Sequence, residues 1–169
     1  MKHRGVPILR LPYTEEEMDF IKNGIADVLK SGYLTMGVKV AQFEKAFADF
    51  TGAKYAIATS NGTCSLEIIL RAIGITGKTV IVPSNTMMAS PVSVIHGGGR
   101  VIFADCQKEN LQLDPQDLKR KIRSDTKAVM LVHIGGIISP ALNEIKEICD
   151  RNGLVLIEDA AHAHGSTID

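Results

Sequence analysis

The sequence predicts an α/β fold in which a mainly parallel sheet lies between two layers of helices, a three-layer sandwich. Three observations support this prediction. Five short apolar runs recur along the chain, and four are apolar at consecutive positions, as expected of parallel strands covered on both faces. Segments with helical spacing lie between most of these runs, which is typical of βαβ units. Residues that favour helix ends and turns separate the segments.

The first part of the chain, residues 1–52, is predicted to be a helical segment. Thr14 and Glu17 match a capping box, and apolar residues follow at helical spacing until Gly32. A second helix is predicted for Val40–Phe50, which carries phenylalanines on one side.

Residues 53–169 are predicted to form the α/β domain. The predicted strands are Tyr55–Ala58, Val80–Val82, Val101–Ala104, Ala128–Val132 and Leu154–Ile157. The predicted helices are Thr63–Ile73, Met87–His96, Pro115–Ile122 and Pro140–Arg151, with Asp114–Pro115 and Ser139–Pro140 as the N-cap and first helical residue of the last two.

Composition excludes several classes of protein. Nineteen basic residues balance nineteen acidic ones without a basic cluster, which argues against nucleic acid as a partner. The longest nearly apolar stretch, Ala128–Ile138, is shorter than the ~20 residues that cross a bilayer, so no membrane segment is predicted. The three cysteines lack a CxxC pair and are interpreted as reduced thiols of a cytoplasmic protein.

A small-residue turn, TSNGT, precedes the helix predicted at Thr63. Backbone N–H groups at Gly62, Thr63 and Cys64 would point outward at the positive end of the helix dipole, which favours an anion such as a phosphate. The alternative is a tight turn in which Thr63 only caps the helix.

The strand-end sequence IEDAAHAHG places Asp159 just past a buried strand, where an unpaired carboxylate is costly. A protonated ring nitrogen of a bound cofactor would offset that cost, with His162 beside it. The alternative is an acid that caps a turn, next to two exposed histidines. A metal site built from Asp159, His162, His164 and His133 is disfavoured because no second ligand pair has zinc-like spacing, so no metal is predicted.

Two further strand ends carry candidate residues. Met87 and Met88 follow VPSNT and either line a flat ligand face or fill the core, as methionine at helical spacing more often does. His133 precedes two glycines that permit close approach of another backbone, and a structural role is favoured over a catalytic one.

The order of these pieces resembles the DegT/DnrJ/EryC1/StrS family of pyridoxal-phosphate-dependent sugar aminotransferases. The segments that carry the resemblance are YLTMGVKVAQFEKAFADFTGAKYAIATSNGT, VIVPSNT, VIFADC, LDPQDLKRKI, KAVMLVHIGG and LVLIEDAAHAHGS. The resemblance implies a fold-type I large domain and transfer of an amino group from glutamate to a nucleotide-linked keto-sugar, in a homodimer or higher oligomer. A dehydratase of the same family and a non-catalytic truncated paralogue that acts as an interaction module are the alternatives.

The resemblance also implies residue roles. Thr63 and Cys64, in the motif SxGTxxL, would contact the phosphate of pyridoxal 5'-phosphate. Asp159 would pair with the pyridinium nitrogen and His162 with the 3-hydroxyl of the ring. Met87 stands where the family usually has an aromatic residue stacked on the ring, and this departure weakens the predicted stacking.

The family's Schiff-base lysine follows the EDAAH motif in an SFxxxK segment, and this sequence ends at Asp169. We therefore expect the N-terminal part of a large domain, incomplete at the C-terminus and inactive alone in transamination. The family's strand order, with strands numbered along the chain, is 3-2-4-5-6-7-1, and the five predicted runs correspond to strands one to five. Without strands six and seven, the run at Tyr55 would have no neighbour and the run at Leu154 would be an open edge.

Overall fold

The structure, a computed structural model, describes residues 10–168 and divides after Ala58 into two compact units. The first unit contains α1 (Glu15–Ser31) and α2 (Val38–Thr51). Both hydrogen bonds of the predicted capping box at Thr14 are present, and Gly32 ends α1 in the left-handed conformation that glycine adopts without steric cost.

The second unit contains a four-stranded parallel sheet in the order β2-β1-β3-β4. Its strands are β1 (Thr79–Pro83), β2 (Arg100–Ala104), β3 (Thr126–Val132) and β4 (Val155–Asp159). Its helices are α3 (Gly62–Ala72), α4 (Ala89–His96), α5 (Pro115–Lys121) and α6 (Leu142–Arg151), with a short 3-10 turn at Ile134–Gly136.

The sheet separates two apolar cores, as the three-layer prediction requires. One core joins α3 and α4 to the sheet through residues such as Leu66, Val94 and Ile157. The other joins α5 and α6 to the opposite face through Leu118, Ile145 and their neighbours. Every residue of β1 is buried, because helices cover this central strand on both faces.

The prediction of a strand at Tyr55–Ala58 is wrong. None of its residues pairs in a β-ladder with another described residue. The backbone N–H of Ala58 instead donates to Oε1 of Glu44 at 2.9 Å. Tyr55 and Ile57 are exposed. When the five predicted runs are numbered in chain order, with Tyr55–Ala58 as the first, the other four lie in the order 3-2-4-5, as the expected topology requires. In that topology the first run pairs with none of these four.

The predicted start of α6 is also wrong, whereas Asp114 caps α5 as expected. The N-cap of α6 is Ala141, which offers no side-chain acceptor. Ser139 is fully buried, and its backbone N–H donates to Nδ1 of His133 at 3.2 Å. This bond places Ser139 within the preceding loop, so the helix begins later.

Among the described residues, no helix has the length and apolar character needed to cross a membrane.

Candidate functional site

The N-terminus of α3 lies in the turn where the sequence predicts a phosphate site. Asn61 is the N-cap, and its side-chain oxygen accepts from the N–H of Cys64 at 2.9 Å. The expectation that the Cys64 N–H is free is therefore wrong. Within residues 10–168 the N–H groups of Gly62 and Thr63 have no acceptor, so two donors remain for an anion.

Asp159 ends β4 on the same face of the sheet as α3 and α4. Ile157 packs in the core below these helices, and side chains two residues apart on a strand share a face. Ser90 of α4 donates to Oδ2 of Asp159 at 3.4 Å, which is consistent with this placement. The same face of the sheet therefore carries Asp159 and α3, which a cofactor site formed from the two requires.

The carboxylate of Asp159 has neutral partners at both oxygens. Oδ1 accepts from the N–H of Ala161 at 3.1 Å, and Ser90, bonded to Oδ2, in turn shares a 2.8 Å hydrogen bond with the hydroxyl of Thr86. No lysine or arginine forms an ion pair with Asp159 in the described part of the chain. A half-buried carboxylate whose partners are all neutral keeps its negative charge uncompensated and can accept a hydrogen bond from a cation. The N–H of a protonated ring nitrogen is such a cationic donor.

His162 lies on the exposed segment that follows Asp159. Its Nδ1 accepts from the backbone N–H of Gly135, at 3.3 Å, in the turn after β3. The structure thus brings His162 to the β3 strand end. Contact of Asp159 or His162 with a cofactor stays a prediction.

His133 is a structural histidine, as favoured from the sequence. It is 3% exposed, its Nε2 lies 2.9 Å from Oε2 of Glu158, and its Nδ1 accepts from Ser139. Both ring nitrogens are therefore occupied. The structure holds no group of three or more potential ligands arranged for a metal ion within residues 10–168.

The two methionines after β1 are not core residues. Met87 is 76% exposed and Met88 72%, although both precede a helix that packs on the sheet. The core-filling alternative is wrong for these residues. Stacking of Met87 on a ring remains a prediction.

Sequence reasoning missed two residues that organise these groups, Asn61 and Ser90, and it noted the glycines after His133 without identifying His162 as their partner. Asn61 carried a usable signal, because asparagine before a helix start is a preferred N-cap. Ser90 lies 69 positions from Asp159 and Gly135 lies 27 from His162, so each contact depends on how the strands are ordered. A local pattern, such as the paired glycines, can indicate that another segment approaches, but it does not identify which one.

The fold and these strand ends define an open α/β protein whose ligand cleft is expected at the carboxyl edge of a parallel sheet. The chain belongs to the DegT/DnrJ/EryC1/StrS aminotransferase family, whose sequence profile matches residues 15–169. The resemblance inferred from the sequence is confirmed.

Curated relatives include GDP-perosamine synthase of Vibrio cholerae, which is 41% identical over 145 residues, covering 85% of this chain and 39% of the relative. The spore coat polysaccharide biosynthesis protein SpsC of Bacillus subtilis is 41% identical over 140 residues, or 82% and 36% of the two chains. The chain spans 36% to 41% of the length of such relatives.

Solved structures give the same match. DesV of S. venezuelae superposes with a TM-score of 0.85 at 34% identity, over 89% of this chain and 41% of that one. A GDP-4-keto-6-deoxymannose-3-dehydratase superposes with a TM-score of 0.84 at 28% identity, over 98% and 43%. The fold is that of fold-type I aminotransferases, matched over about 40% of their length.

Proposed function

We propose that this chain supplies the cofactor-binding part of a pyridoxal-phosphate-dependent aminotransferase that acts on a nucleotide-linked keto-sugar with glutamate as amino donor. The observation that carries the proposal is the carboxylate of Asp159. It is half-buried, held by two neutral donors and without a lysine or arginine partner among the described residues, on the sheet face covered by α3.

Each part of this site has a role that follows from its chemistry. The N–H groups of Gly62 and Thr63, with the dipole of α3, bind the phosphate. Asp159 would accept a hydrogen bond from the protonated ring nitrogen. Its negative charge would keep that nitrogen protonated, because a nearby negative charge favours the cationic form. When bound, the cofactor supplies an electron sink for the carbon from which a proton is removed.

The names of several relatives support a sugar substrate. They include two GDP-perosamine synthases and a dTDP-3-amino-3,6-dideoxy-alpha-D-galactopyranose transaminase. The dehydratase with a similar fold catalyses a different reaction. A part shared across different reactions is better suited to holding the cofactor than to choosing the reaction, which agrees with the roles given to Asp159 and α3.

The test is a titration of the 169-residue chain with pyridoxamine 5'-phosphate. This form cannot condense with surface lysines, and its fluorescence is observed without interference from tryptophan, which the chain lacks. We expect saturable binding that inorganic phosphate competes away. Asp159→Asn should weaken affinity by about 10- to 100-fold, since a charge-assisted hydrogen bond contributes about 1.5–3 kcal/mol.

Asp150→Asn is the matched control, because it removes an exposed acid from the last turn of α6 and should leave affinity unchanged. Binding of equal strength in Asp159→Asn and the unsubstituted chain would contradict the proposed role of Asp159. No saturable binding at all would favour the non-catalytic interaction module.

A further inference from the structure

The ring of His162 has one recorded hydrogen bond among the described residues, and that bond fixes its protonation pattern. The donor is the backbone N–H of Gly135, 3.3 Å from Nδ1. A backbone N–H can only donate, so Nδ1 must carry a lone pair. A neutral histidine whose Nδ1 is an acceptor carries its proton on Nε2.

The turn that supplies this donor is built from two left-handed glycines. Gly135 has φ +67° and Gly136 has φ +81°. A Cβ on Gly136 would lie 2.8 Å from the backbone oxygen of His162, so only glycine allows this approach. The hydroxyl of Ser166 donates to the carbonyl of Gly136 at 2.9 Å. The turn and the segment 162–166 therefore meet at three places.

The base of the same loop is anchored by His133. Its Nδ1 accepts from the Ser139 N–H, so by the same reasoning its Nε2 carries the proton and donates to Glu158 at 2.9 Å. His133 is buried, and Glu158 immediately precedes Asp159 on β4. The loop is thus tied at one end to the strand that carries Asp159 and at its tip to His162.

From these contacts we propose that the loop of residues 133–139 is the positioning element for His162: the Gly135 N–H holds the ring as the Nε2–H tautomer, so that Nε2–H is the one donor it offers to a ligand. An N–H donor at this position suits a ligand atom that accepts a hydrogen bond. The proposal rests on the proposed function for the identity of that acceptor. The tautomer itself needs no ligand.

The test is long-range ¹H–¹⁵N NMR of the imidazole nitrogens in the ¹⁵N-labelled chain, recorded in alkaline buffer so that neutral rings are observed. The His162 signals are assigned by their loss in His162→Gln. We expect a single Nε2–H tautomer in the unsubstituted chain. Gly136→Ala, which displaces the His162 backbone, should give a mixture of tautomers and weaken pyridoxamine 5'-phosphate binding by about 2- to 10-fold, the range of one neutral hydrogen bond.

Gly153→Ala is the matched control, because Gly153 also has a positive φ, +63°, but has no atom within 4 Å of a new Cβ. It should leave the His162 tautomer unchanged. If Gly136→Ala does not fold, Ser166→Ala loosens the same turn by removing one hydroxyl and should shift the tautomer in the same direction.

A mixture of His162 tautomers in the unsubstituted chain, or a tautomer indifferent to both variants, would overturn the inference. That outcome together with normal cofactor binding leaves the proposed function intact. A fixed Nε2–H tautomer with no cofactor binding would refute the proposed function and leave the positioning role standing.

Discussion

Asp117 shows how a single buried acid ties α5 to the sheet. Its Oδ2 accepts from the N–H of Asp105 at 2.7 Å, just after β2, and its Oδ1 accepts from Arg120. The backbone N–H of Asp105 lowers the pKa of Asp117 below its ordinary value of 3.8, with burial opposing the shift and Arg120 supporting it. The charged form is thus favoured by the fold.

We predict that Asp117→Ala lowers the free energy of unfolding by about 1–3 kcal/mol, because the Asp105 N–H loses its acceptor. A depressed folded pKa stabilises the protein above the unfolded value, so the difference from the unsubstituted chain should be constant above pH 3.8 and shrink as pH falls below it. Urea unfolding at several pH values measures this dependence.

Glu147→Ala is the control for the Asp117 experiment, since it breaks only the exposed ion pair with Arg151. Its effect should stay within about 0.5 kcal/mol. Equal destabilisation by the two substitutions would contradict the account of Asp117.

The candidate site was predictable at the residue scale only where a residue's neighbours along the chain determine its environment. Asp159 and His162 stood out because polar groups directly follow an apolar strand. One bond to Asp159 is local, from Ala161, but the bonds from Ser90 to Asp159 and from Gly135 to His162 come from segments brought together by strand order. Cys64 was misjudged because the competing acceptor, the side chain of Asn61, was overlooked.

At the scale of elements, three helix ends with side-chain or glycine caps were predicted correctly, whereas the Asn61 cap of α3 and the uncapped start of α6 were not. Thr14, Gly32 and Asp114 lie where the sequence indicated. The start of α6 was misplaced because Ser139 is drawn into the loop by His133 rather than capping the helix. A tertiary hydrogen bond here outweighs a local preference.

Substitutions at Asn61, the N-cap of α3, distinguish its effect on stability from its effect on anion binding. Asn61→Ala should lower the free energy of unfolding by about 1 kcal/mol, because the Cys64 N–H loses its acceptor. Asn61→Asp keeps an acceptor of equal capping strength but adds a negative charge at the proposed phosphate site. We expect it to preserve stability and weaken pyridoxamine 5'-phosphate binding, measured by urea unfolding and by fluorescence titration.

Unchanged cofactor affinity in Asn61→Asp would argue against a phosphate at this helix end. Loss of stability in Asn61→Asp equal to that in Asn61→Ala would instead show that the cap geometry, rather than the acceptor, is what matters.

For the whole molecule, the order of the four strands was predictable from the family resemblance, whereas the state of the run at Tyr55–Ala58 was not. Apolar spacing alone does not distinguish a paired strand from an unpaired extended segment, because pairing requires a neighbour distant in sequence. Tyr55 and Ile57 remain exposed without that neighbour.

The helices of the first unit leave much apolar surface in solvent. No residue of α1 or α2 is buried. Their exposed side chains include Phe20, Ile25, Leu29, Phe43 and Phe50. Extensive exposed apolar surface is typical of interaction surfaces or of proteins that aggregate.

We therefore predict that the 169-residue chain associates in solution, with a mass by light scattering that exceeds its 18.3 kDa and rises with concentration. Replacing Phe20 and Leu29 by lysine should lower that mass, because both side chains are exposed on α1. Hydrogen exchange should be slow in β1 and β3, whose backbone lies in the middle of the sheet, and fast at residues 55–57. A monodisperse monomer in which residues 55–57 are strongly protected would show that this segment is paired and that the apolar surface is covered within a single chain.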